Sequence, residues 1–358
     1  MNKTNSLWQL ALKKFSQNKT GVFSFLFICL CGCIAVFCYA LAPDNSIAAN
    51  QMNLEIHSKP PGFTVDILKT PTNNNTIQSW FSILKKGKEN NFTQLPIKSY
   101  SINNNVLTVI KYADGLPKNF NLKTFNNQPE KYIETKTFYL GTDKYGRDLL
   151  SRILVGSRIS FFIGFVAVLI SLIIGIPIGA IGGYFGGKTD AFIMWLINIT
   201  WSIPTLLLVI AITLTLGKGF WQVFIAVGFT MWVEVARVVR GQVITTKQQQ
   251  YVEAAKALGF SDFRIIFKHI LPNILAPIIV ISAANFAAAI LIESGLSFLG
   301  IGAQPPTPSW GAIIKNHYNY IVLGKPYLAI IPGLAIMSLV MAFMLLGNSL
   351  RDALDVKN

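Results

Sequence analysis

The stretch YVEAAKALGFSDFRIIFKHILPN, from Tyr251 to Asn273, lies between two long apolar runs and carries charged side chains along its length. Each charge would cost roughly 2.5–3.5 kcal/mol at the centre of a bilayer, so we expect the stretch to stay in water. Gly259 divides it into two short helical patterns, because glycine accepts the left-handed conformation that ends a helix. Ser261 is expected to cap the second helix.

Each of the two predicted helices has an apolar side. In the first, predicted from about Lys247 to Leu258, the apolar stripe consists of Val252, Ala255 and Leu258. In the second, the spacing i, i+3, i+4, i+7 predicts a buried face made of Phe263, Ile266, Phe267 and Ile270. The order of elements is therefore helix, glycine corner, helix and then a membrane span that begins near Pro272.

The composition of the whole chain is that of a membrane protein. Of its 358 residues, 52% are hydrophobic and only 13% are charged, whereas a soluble domain carries roughly 25% charged residues. The net charge of +15 is explained by Lys and Arg in loops beside membrane spans, and we expect no nucleic-acid partner. Four cysteines within one apolar run and three scattered histidines argue against a disulfide framework and against a metal site.

Six apolar runs are long enough to cross a bilayer, which takes about 20 residues. The predicted spans are Gly21–Ala42, Ile159–Ile181, Ala191–Leu216, Phe220–Val238, Asn273–Glu293 and Tyr327–Leu350. Basic residues in the short loops predict that both termini and the 239–272 loop lie in the cytoplasm. Arg147, Arg152 and Arg158 lie just outside the second span and depart from this rule, and a helix on the membrane surface would hold them.

The segment after the first span has a different composition. Residues 43–140 are rich in Asn, Lys and Thr, and they contain β-favouring pieces such as Val106–Ile110 and Thr135–Tyr139. The predicted fold is an all-α polytopic membrane protein of about six transmembrane helices with a small β-rich extracytoplasmic insert. The predicted division is a cytoplasmic segment 1–20, a first transmembrane helix 21–42, the insert 43–140 and a core 141–358 with five transmembrane helices.

Polar side chains within the spans are candidates to line a passage through the membrane, since they are costly in lipid. We predict this role for Asn198, Ser202, Asn285 and Glu293. Hydrogen bonding between neighbouring helices is the competing interpretation for each of them. Three glycines of the second span, Gly175, Gly179 and Gly183, recur every four residues and predict close contact with another helix.

Residues 182–189, GGYFGGKT, satisfy the phosphate-binding pattern G-x-x-x-x-G-K-[ST]. That loop works only after a buried strand, with an acidic residue on a second strand to hold Mg²⁺. Here one predicted membrane helix precedes the glycines and another follows, which favours a simple turn. We therefore expect this chain to bind no nucleotide or other cofactor. Hydrolase signatures such as H-E-x-x-H and G-x-S-x-G are also absent from the sequence, so we expect no enzymatic activity.

Several pieces together resemble the membrane subunits of bacterial ABC importers, in particular the peptide/nickel branch. Glu253-Ala254-Ala255, with Gly259 and Leu271-Pro272, is similar to the EAA motif, although His269 stands where the usual signature has Ile. The other pieces are LGTD at 140–143 with GRD at 146–148, GYFGG at 183–187 with Asp190, ARVVRG at 236–241, LSFLG at 296–300 with QPPTPSWG at 304–311, and LRDALD at 350–355. The resemblance covers the first span and residues 140–358.

The resemblance implies a type I ABC importer permease fold and a subunit that forms half of a translocation pathway for peptides or related small solutes. It implies a second homologous permease, two cytoplasmic ATPase subunits that bind ATP and Mg²⁺, an extracytoplasmic substrate-binding protein, and a location in the bacterial inner membrane. A nickel or metal-chelate importer of the same family is the alternative, and a channel or receptor without an ATPase is the alternative from another class.

The resemblance also assigns a role to the opening stretch. Its first helix becomes the coupling helix, which docks in a groove of an ATPase. The predicted coupling residues are Tyr251, Val252, Glu253, Ala254, Ala255, Lys256, Ala257, Leu258 and Gly259.

Overall fold

The structure, a computed structural model, describes residues 7–72, 78–217 and 219–354. Its helices, in chain order, are α1 (Leu7–Gln17), α2 (Lys19–Val36), α3 (Cys38–Leu41), α4 (Trp80–Lys86), α5 (Leu149–Phe185), α6 (Gly187–Ser202), α7 (Thr205–Leu216), α8 (Phe220–Lys247), α9 (Gln250–Ala257), α10 (Asp262–Arg264), α11 (Leu275–Leu299), α12 (Trp310–His317) and α13 (Tyr327–Leu354). A π-helical turn at Ile265–Ile270 and a 3₁₀ turn at Leu271–Ile274 join α10 to α11.

The chain divides into two compact units. One consists of Met1–Gly32, Ser160–Gln304 and Leu334–Asn358, and the other of Cys33–Ile159 and Pro305–Gly333. The domain boundaries predicted at residues 20, 42 and 140 stay predictions. The strands described below all fall within the predicted insert.

The prediction of about six membrane spans is confirmed. Within the described ranges, the segments long and apolar enough to cross a bilayer are Lys19–Val36, Leu149–Phe185, Phe220–Lys247, Asp262–Leu299 and Tyr327–Leu354. The pair α6 and α7 passes the same test when taken together, and it is bent by 87°. The described part of the chain therefore has five such helices, or six spans if the bent pair is one of them.

The bent pair corrects the predicted continuous span Ala191–Leu216. Helix α6 ends at Ser202, Ile203 is extended with φ −95° and ψ 126°, and Pro204 precedes α7. Proline disfavours the helical conformation in the residue before it and offers no N–H to the preceding turn. Pro204 therefore breaks this span, whereas α5 continues as a helix through Pro177.

Two of the three arginines before the second span are buried, so the surface helix expected for them is wrong. Arg147 and Arg152 are each 4% exposed, and both face the fully buried carboxylate of Asp143. The Nη2 atom of Arg147 lies 2.7 Å from Asp143 Oδ2, and the Nε atom of Arg152 lies 3.7 Å from it. Only Arg158 remains partly exposed, and its guanidinium donates to the carbonyl oxygen of Lys85. The guanidinium groups of Arg147 and Arg152 are therefore buried against the carboxylate of Asp143 instead of lying at the membrane surface.

The described residues of the insert form an antiparallel sheet of five strands, which confirms its predicted β-rich character. The strands are β1 (Phe63–Pro71), β2 (Phe92–Asn103), β3 (Val106–Lys111), β4 (Pro117–Asn121) and β5 (Ile133–Phe138), in the spatial order β4-β3-β2-β1-β5. Consecutive residues of β1 point to opposite faces. Leu68 packs with Ile97 and Phe125 on one face, and Ile67 packs with Ile56 and Phe138 on the other.

Helices α5 and α8 touch backbone to backbone, as the glycines of the second span predict. A Cβ atom added at Gly175, Gly179 or Gly183 would lie 2.7, 2.3 or 2.7 Å from the carbonyl oxygens of Trp232, Ala236 and Arg240, respectively. Both series advance by four residues, so the contact follows one face of each helix over two turns. α8 also packs against α6, α7 and α11, which makes it the centre of the first unit.

We predict that Gly179→Val destabilises the protein by about 1–3 kcal/mol or more, because overpacking here strikes a backbone oxygen that cannot rotate away. The measurement is the unfolding temperature of the purified chain in detergent. Gly295→Val is the matched control, since Gly295 lies in α11 with open space at the Cβ position. Equal unfolding temperatures for the two variants would contradict the close packing of α5 on α8.

Candidate functional site

The glycine corner forms as the sequence predicts. Helix α9 ends in two capping hydrogen bonds, from Phe260 N to Ala255 O (3.2 Å) and from Gly259 N to Lys256 O (2.9 Å). Gly259 has φ +75°, and no atom lies within 4 Å of the position where a Cβ would be. The requirement for glycine at this site is therefore conformational, not steric.

One side of α9 is fixed in the interior of the first unit. Val252 is fully buried and Ala255 is 5% exposed. They pack in one cluster with Val239 and Val243 of α8 and with Ile265 beyond the corner. The same cluster contains Ala180 and Tyr184 of α5 and Ile278 of α11. A displacement of α9 therefore acts directly on the ends of three long helices.

The buried face beyond the corner differs from the predicted one. Ile266 and Ile270 are buried as expected, but Phe263 and Phe267 are 70% and 50% exposed, and Ile265 is fully buried in their place. The π-helical turn at Ile265–Ile270 is wider than an α-helical turn, so side chains there no longer follow the 3.6-residue pattern. The two exposed rings pack against each other with their centroids 4.3 Å apart.

The first apolar stripe is also wrong at its last position, because Leu258 is 73% exposed. Of the nine predicted coupling residues, Val252 and Ala255 face inward and the other seven are exposed in this chain. Tyr251 is among the exposed ones, and its hydroxyl accepts a hydrogen bond from Asn273 Nδ2 at 3.1 Å. Partial burial raises the pKa of Tyr251, so the phenol stays neutral.

Polar contacts tie the corner to the turn between α5 and α6. The hydroxyl of Tyr184 donates to Asp262 Oδ1 at 2.6 Å, and the ammonium of Lys247 donates to the carbonyl oxygen of Tyr184. Ser261 occupies the N-cap position of α10, as predicted, but its side chain makes no capping hydrogen bond. Asp262 therefore serves as an anchor point as well as a residue of the first helical turn.

An ion pair joins two motifs that lie far apart in the sequence. Arg240 Nε and Nη2 contact Asp190 Oδ1 and Oδ2, each at 2.5 Å. Paired guanidinium and carboxylate groups of this kind fix direction as well as distance. They hold the first turn of α6 to α8 at Arg240, the residue whose carbonyl oxygen makes the last glycine contact between α5 and α8.

The phosphate-like motif at 182–189 is part of a turn between helices. α5 ends at Phe185, Gly186 and Gly187 take φ of +66° and +56°, and α6 starts at Gly187. Neither flanking element is a strand. The expectation that this chain binds no nucleotide stays a prediction. Across the described ranges, no group of three or more His, Cys, Asp or Glu side chains could hold a metal ion.

The four predicted pathway residues do not form one surface. Asn285 and Glu293 are each 1% exposed, whereas Asn198 and Ser202 are exposed on α6. Glu293 accepts a hydrogen bond from Ser297 Oγ at 2.7 Å. The amide oxygen and nitrogen of Asn285 are buried without a hydrogen-bond partner in the described structure. Ser160 Oγ of α5 also donates to Glu293, at 3.5 Å, so hydrogen bonds within α11 and to α5 account for its burial. The role of all four residues in the pathway stays a prediction.

Sequence analysis missed a carboxylate in the fourth predicted span. Glu234 lies in α8 and borders a cavity of about 230 Å³ where α6, α7, α8 and α11 meet. The residues lining it are Thr200, Trp201, Thr205, Leu208, Thr230, Met231, Glu234, Ala288 and Ile292. The signal was present in the sequence, because an acidic residue inside an apolar run indicates a functional position.

Two known protein families match the chain. The family described as binding-protein-dependent transport system inner membrane component matches residues 175–357, just over half of the chain. The family described as N-terminal TM domain of oligopeptide transport permease C matches residues 6–61.

Individual proteins are similar over about three fifths of the chain. The glutathione transport system permease protein of Pectobacterium atrosepticum is 42% identical over 219 residues, which are 61% of this chain and 72% of that protein. The oligopeptide transport system permease protein of Bacillus subtilis is 40% identical over 223 residues, 62% of this chain and 73% of that protein. Among solved structures, an inward-facing conformation of the MetNI methionine ABC transporter has a TM-score of 0.47 at 19% identity and covers 57% of this chain and 96% of its own.

We predict that Gly259→Val frays α9. A β-branched residue at φ +75° costs about 1–3 kcal/mol in backbone strain, and 1.4 kcal/mol corresponds to about a tenfold change in an opening equilibrium. Amide hydrogen exchange over Gln250–Ala257 should accelerate by about that factor or more. Gly259→Asn is the control, because Asn tolerates the left-handed region. Unchanged exchange in the Val variant would show that the corner does not need glycine.

Proposed function

This chain belongs to the family of binding-protein-dependent transport system inner membrane components, and from that membership we propose that it is the permease of a peptide importer. Relatives of the chain are named for the transport of oligopeptides and of glutathione. These names favour peptides as the transported solutes, in preference to nickel or other metal chelates. The matched family and the apolar helices also make it a multi-pass protein of the inner membrane.

The main support for a coupling role is that α9 is buried on one side and exposed on the other. Its inner side, Val252 and Ala255, is locked to the ends of α5, α8 and α11, while its outer side, including Ala254 and Leu258, is open. An open face on a rigidly held helix is suited to receive a partner and to pass its movement on. This arrangement supports the assignment of Tyr251–Gly259 as the ATPase-coupling segment, with Val252 and Ala255 as its internal anchor.

The partners follow from the same proposal. Two cytoplasmic ATPase subunits bind ATP and Mg²⁺ and carry out hydrolysis, a second related permease completes the pathway, and a binding protein delivers the solute outside. This chain is then the transport component and not the enzyme. Closure of the ATPases moves α9, and the corner turns that movement into rotation of the spans.

Two aromatic rings in contact extend the proposed docking surface past the corner. Phe263 and Phe267 lie beyond α9 and are exposed, as is Leu258. Large apolar side chains grouped on a surface indicate contact with a protein or with lipid. We assign Leu258 and the two rings to the rim of the ATPase contact, where Arg264 and Lys268 add positive charge.

We predict that Ala254→Trp leaves the permease folded but lowers ATP-driven peptide uptake at least about tenfold, because a bulky side chain on the exposed face holds the ATPase away. Ala255→Trp is a different test, since Ala255 is buried and a large residue there would disturb the fold itself. The measurements are copurification of the ATPase subunits and uptake by reconstituted vesicles.

Lys188→Trp is the matched control for added bulk, since Lys188 is exposed in the first turn of α6, outside α9. It should leave uptake and ATP affinity close to those of the unmodified transporter. Docking through α9 would be contradicted if Ala254→Trp kept full peptide uptake. It would also be contradicted if Ala254→Trp and Lys188→Trp lost uptake equally. Solute uptake without any ATPase would favour the channel or receptor alternative.

We predict the orientation of the chain from its basic loops: both termini and α9 inside, and the sheet outside. In a variant without the four native cysteines, Asn119→Cys in β4 should react with a membrane-impermeant maleimide on intact cells. Lys256→Cys in α9 should react only after the membrane is permeabilised. The opposite pattern would reverse the orientation and remove α9 from the ATPase side.

A further inference from the structure

Glu234 is an exposed carboxylate within a membrane-spanning helix. It makes no hydrogen bond or ion pair with any residue in the ranges that the structure describes. An ionised carboxylate is stable in such a place only if water or a cation reaches it. Glu234 therefore takes no part in the packing between the chain's own helices, and its carboxyl group is open to a ligand or to a partner chain.

The cavity beside Glu234 is built by four helices. Thr200 and Trp201 come from the end of α6, Thr205 and Leu208 come from α7, and the remaining lining residues come from α8 and α11. The break at Pro204 opens this space, because α7 leaves α6 at 87° instead of continuing along it. The cavity is thus a consequence of the bent pair, which the sequence did not predict.

The polar groups around this cavity attract positive charge. The hydroxyls of Thr200 and Thr230 donate to carbonyl oxygens of their own helices, at 3.0 and 2.8 Å, so what they offer to a ligand is their acceptor lone pairs. The indole of Trp201 already has the guanidinium of Arg237 over its ring, 4.3 Å from the centroid, so that face is not free for a ligand. None of the described residues that line the cavity is basic.

We propose that this cavity is a binding site on the translocation pathway for a primary ammonium group, with Glu234 as its counter-charge. The inference rests on the proposed function, and it names the part of a peptide that the permease recognises: the amino terminus. A volume of about 230 Å³ accommodates an ammonium with the first residue of a peptide. A bare metal ion would require more than one carboxylate and a tighter set of oxygen ligands.

The first test measures the electrostatics of the cavity and needs no substrate. In the assembled transporter without the four native cysteines, Thr205→Cys is treated with cationic MTSET and with anionic MTSES, and each rate is divided by the rate with a free thiol. Thr215→Cys, exposed on the same helix α7, is the matched control. A nearby unit charge should favour the cation at Thr205→Cys by at least about tenfold.

Variants of the acid connect this preference to one side chain. Glu234→Gln should reduce the preference to the value at Thr215→Cys, and Glu234→Asp should retain most of it. If neither reagent reacts at Thr205→Cys in the assembled transporter, the cavity is sealed by the second permease and the proposal is wrong. If the preference survives in Glu234→Gln, another group supplies the charge and the proposal is also wrong.

The second test asks whether the site accepts a peptide amino terminus. Trialanine at millimolar concentration should protect Thr205→Cys from MTSET at least about threefold more than N-acetyl-trialanine does, since acetylation removes the ammonium. Equal protection by both peptides, or by neither, overturns the assignment. ATP-driven trialanine uptake by the transporter with unmodified Glu234, assayed in parallel, reports on the proposed function separately, so a failure of one does not imply failure of the other.

Discussion

The direct contact between α5 and α8 is the constraint on which the rest of the first unit depends. Glycine at three successive positions lets the two backbones meet, and this contact brings the ends of both helices to one place. Tyr184 and the α5–α6 turn lie at the end of α5. Arg240, Val243 and Lys247 lie in the last two turns of α8. The corner that holds α9 is built from these groups, so its position is set by the packing of two membrane helices.

The parts of the structure that the sequence predicts are those governed by local rules. Apolar length located the spans, four-residue glycine spacing predicted the helix contact, and Gly259 was identified by the backbone conformation it must adopt. Short runs of β-favouring residues located β3 and β5. In each case the physical cause acts over a few residues, so that it can be recognised without knowing what lies nearby in space.

The features that were missed depend on long-range contacts or on an irregular backbone. Asp190 and Arg240 are 50 residues apart, and nothing in either motif indicates that they pair. Arg147 and Arg152 were expected at the membrane surface, because the sequence does not show that folding buries them together with Asp143. The π-helical turn shifted the buried face from Phe263 and Phe267 to Ile265. Pro204 and Glu234 were visible signals, and they were given too little weight within long apolar runs.

Because Val252 and Ala255 pack against Val239 and Val243, we infer that α9 and α8 move as one rigid body when the transporter works. Spin labels at Lys256→Cys in α9 and Phe229→Cys in α8, both exposed positions, report the distance between the coupling segment and the span. Electron paramagnetic resonance of the assembled transporter, with and without ATP, measures it directly. We expect the distance to stay the same in both states while distances to the second permease change. A change of several ångström in the distance between the two labels on ATP binding would show that α9 moves independently of α8. That result would contradict the rigid coupling of the two helices.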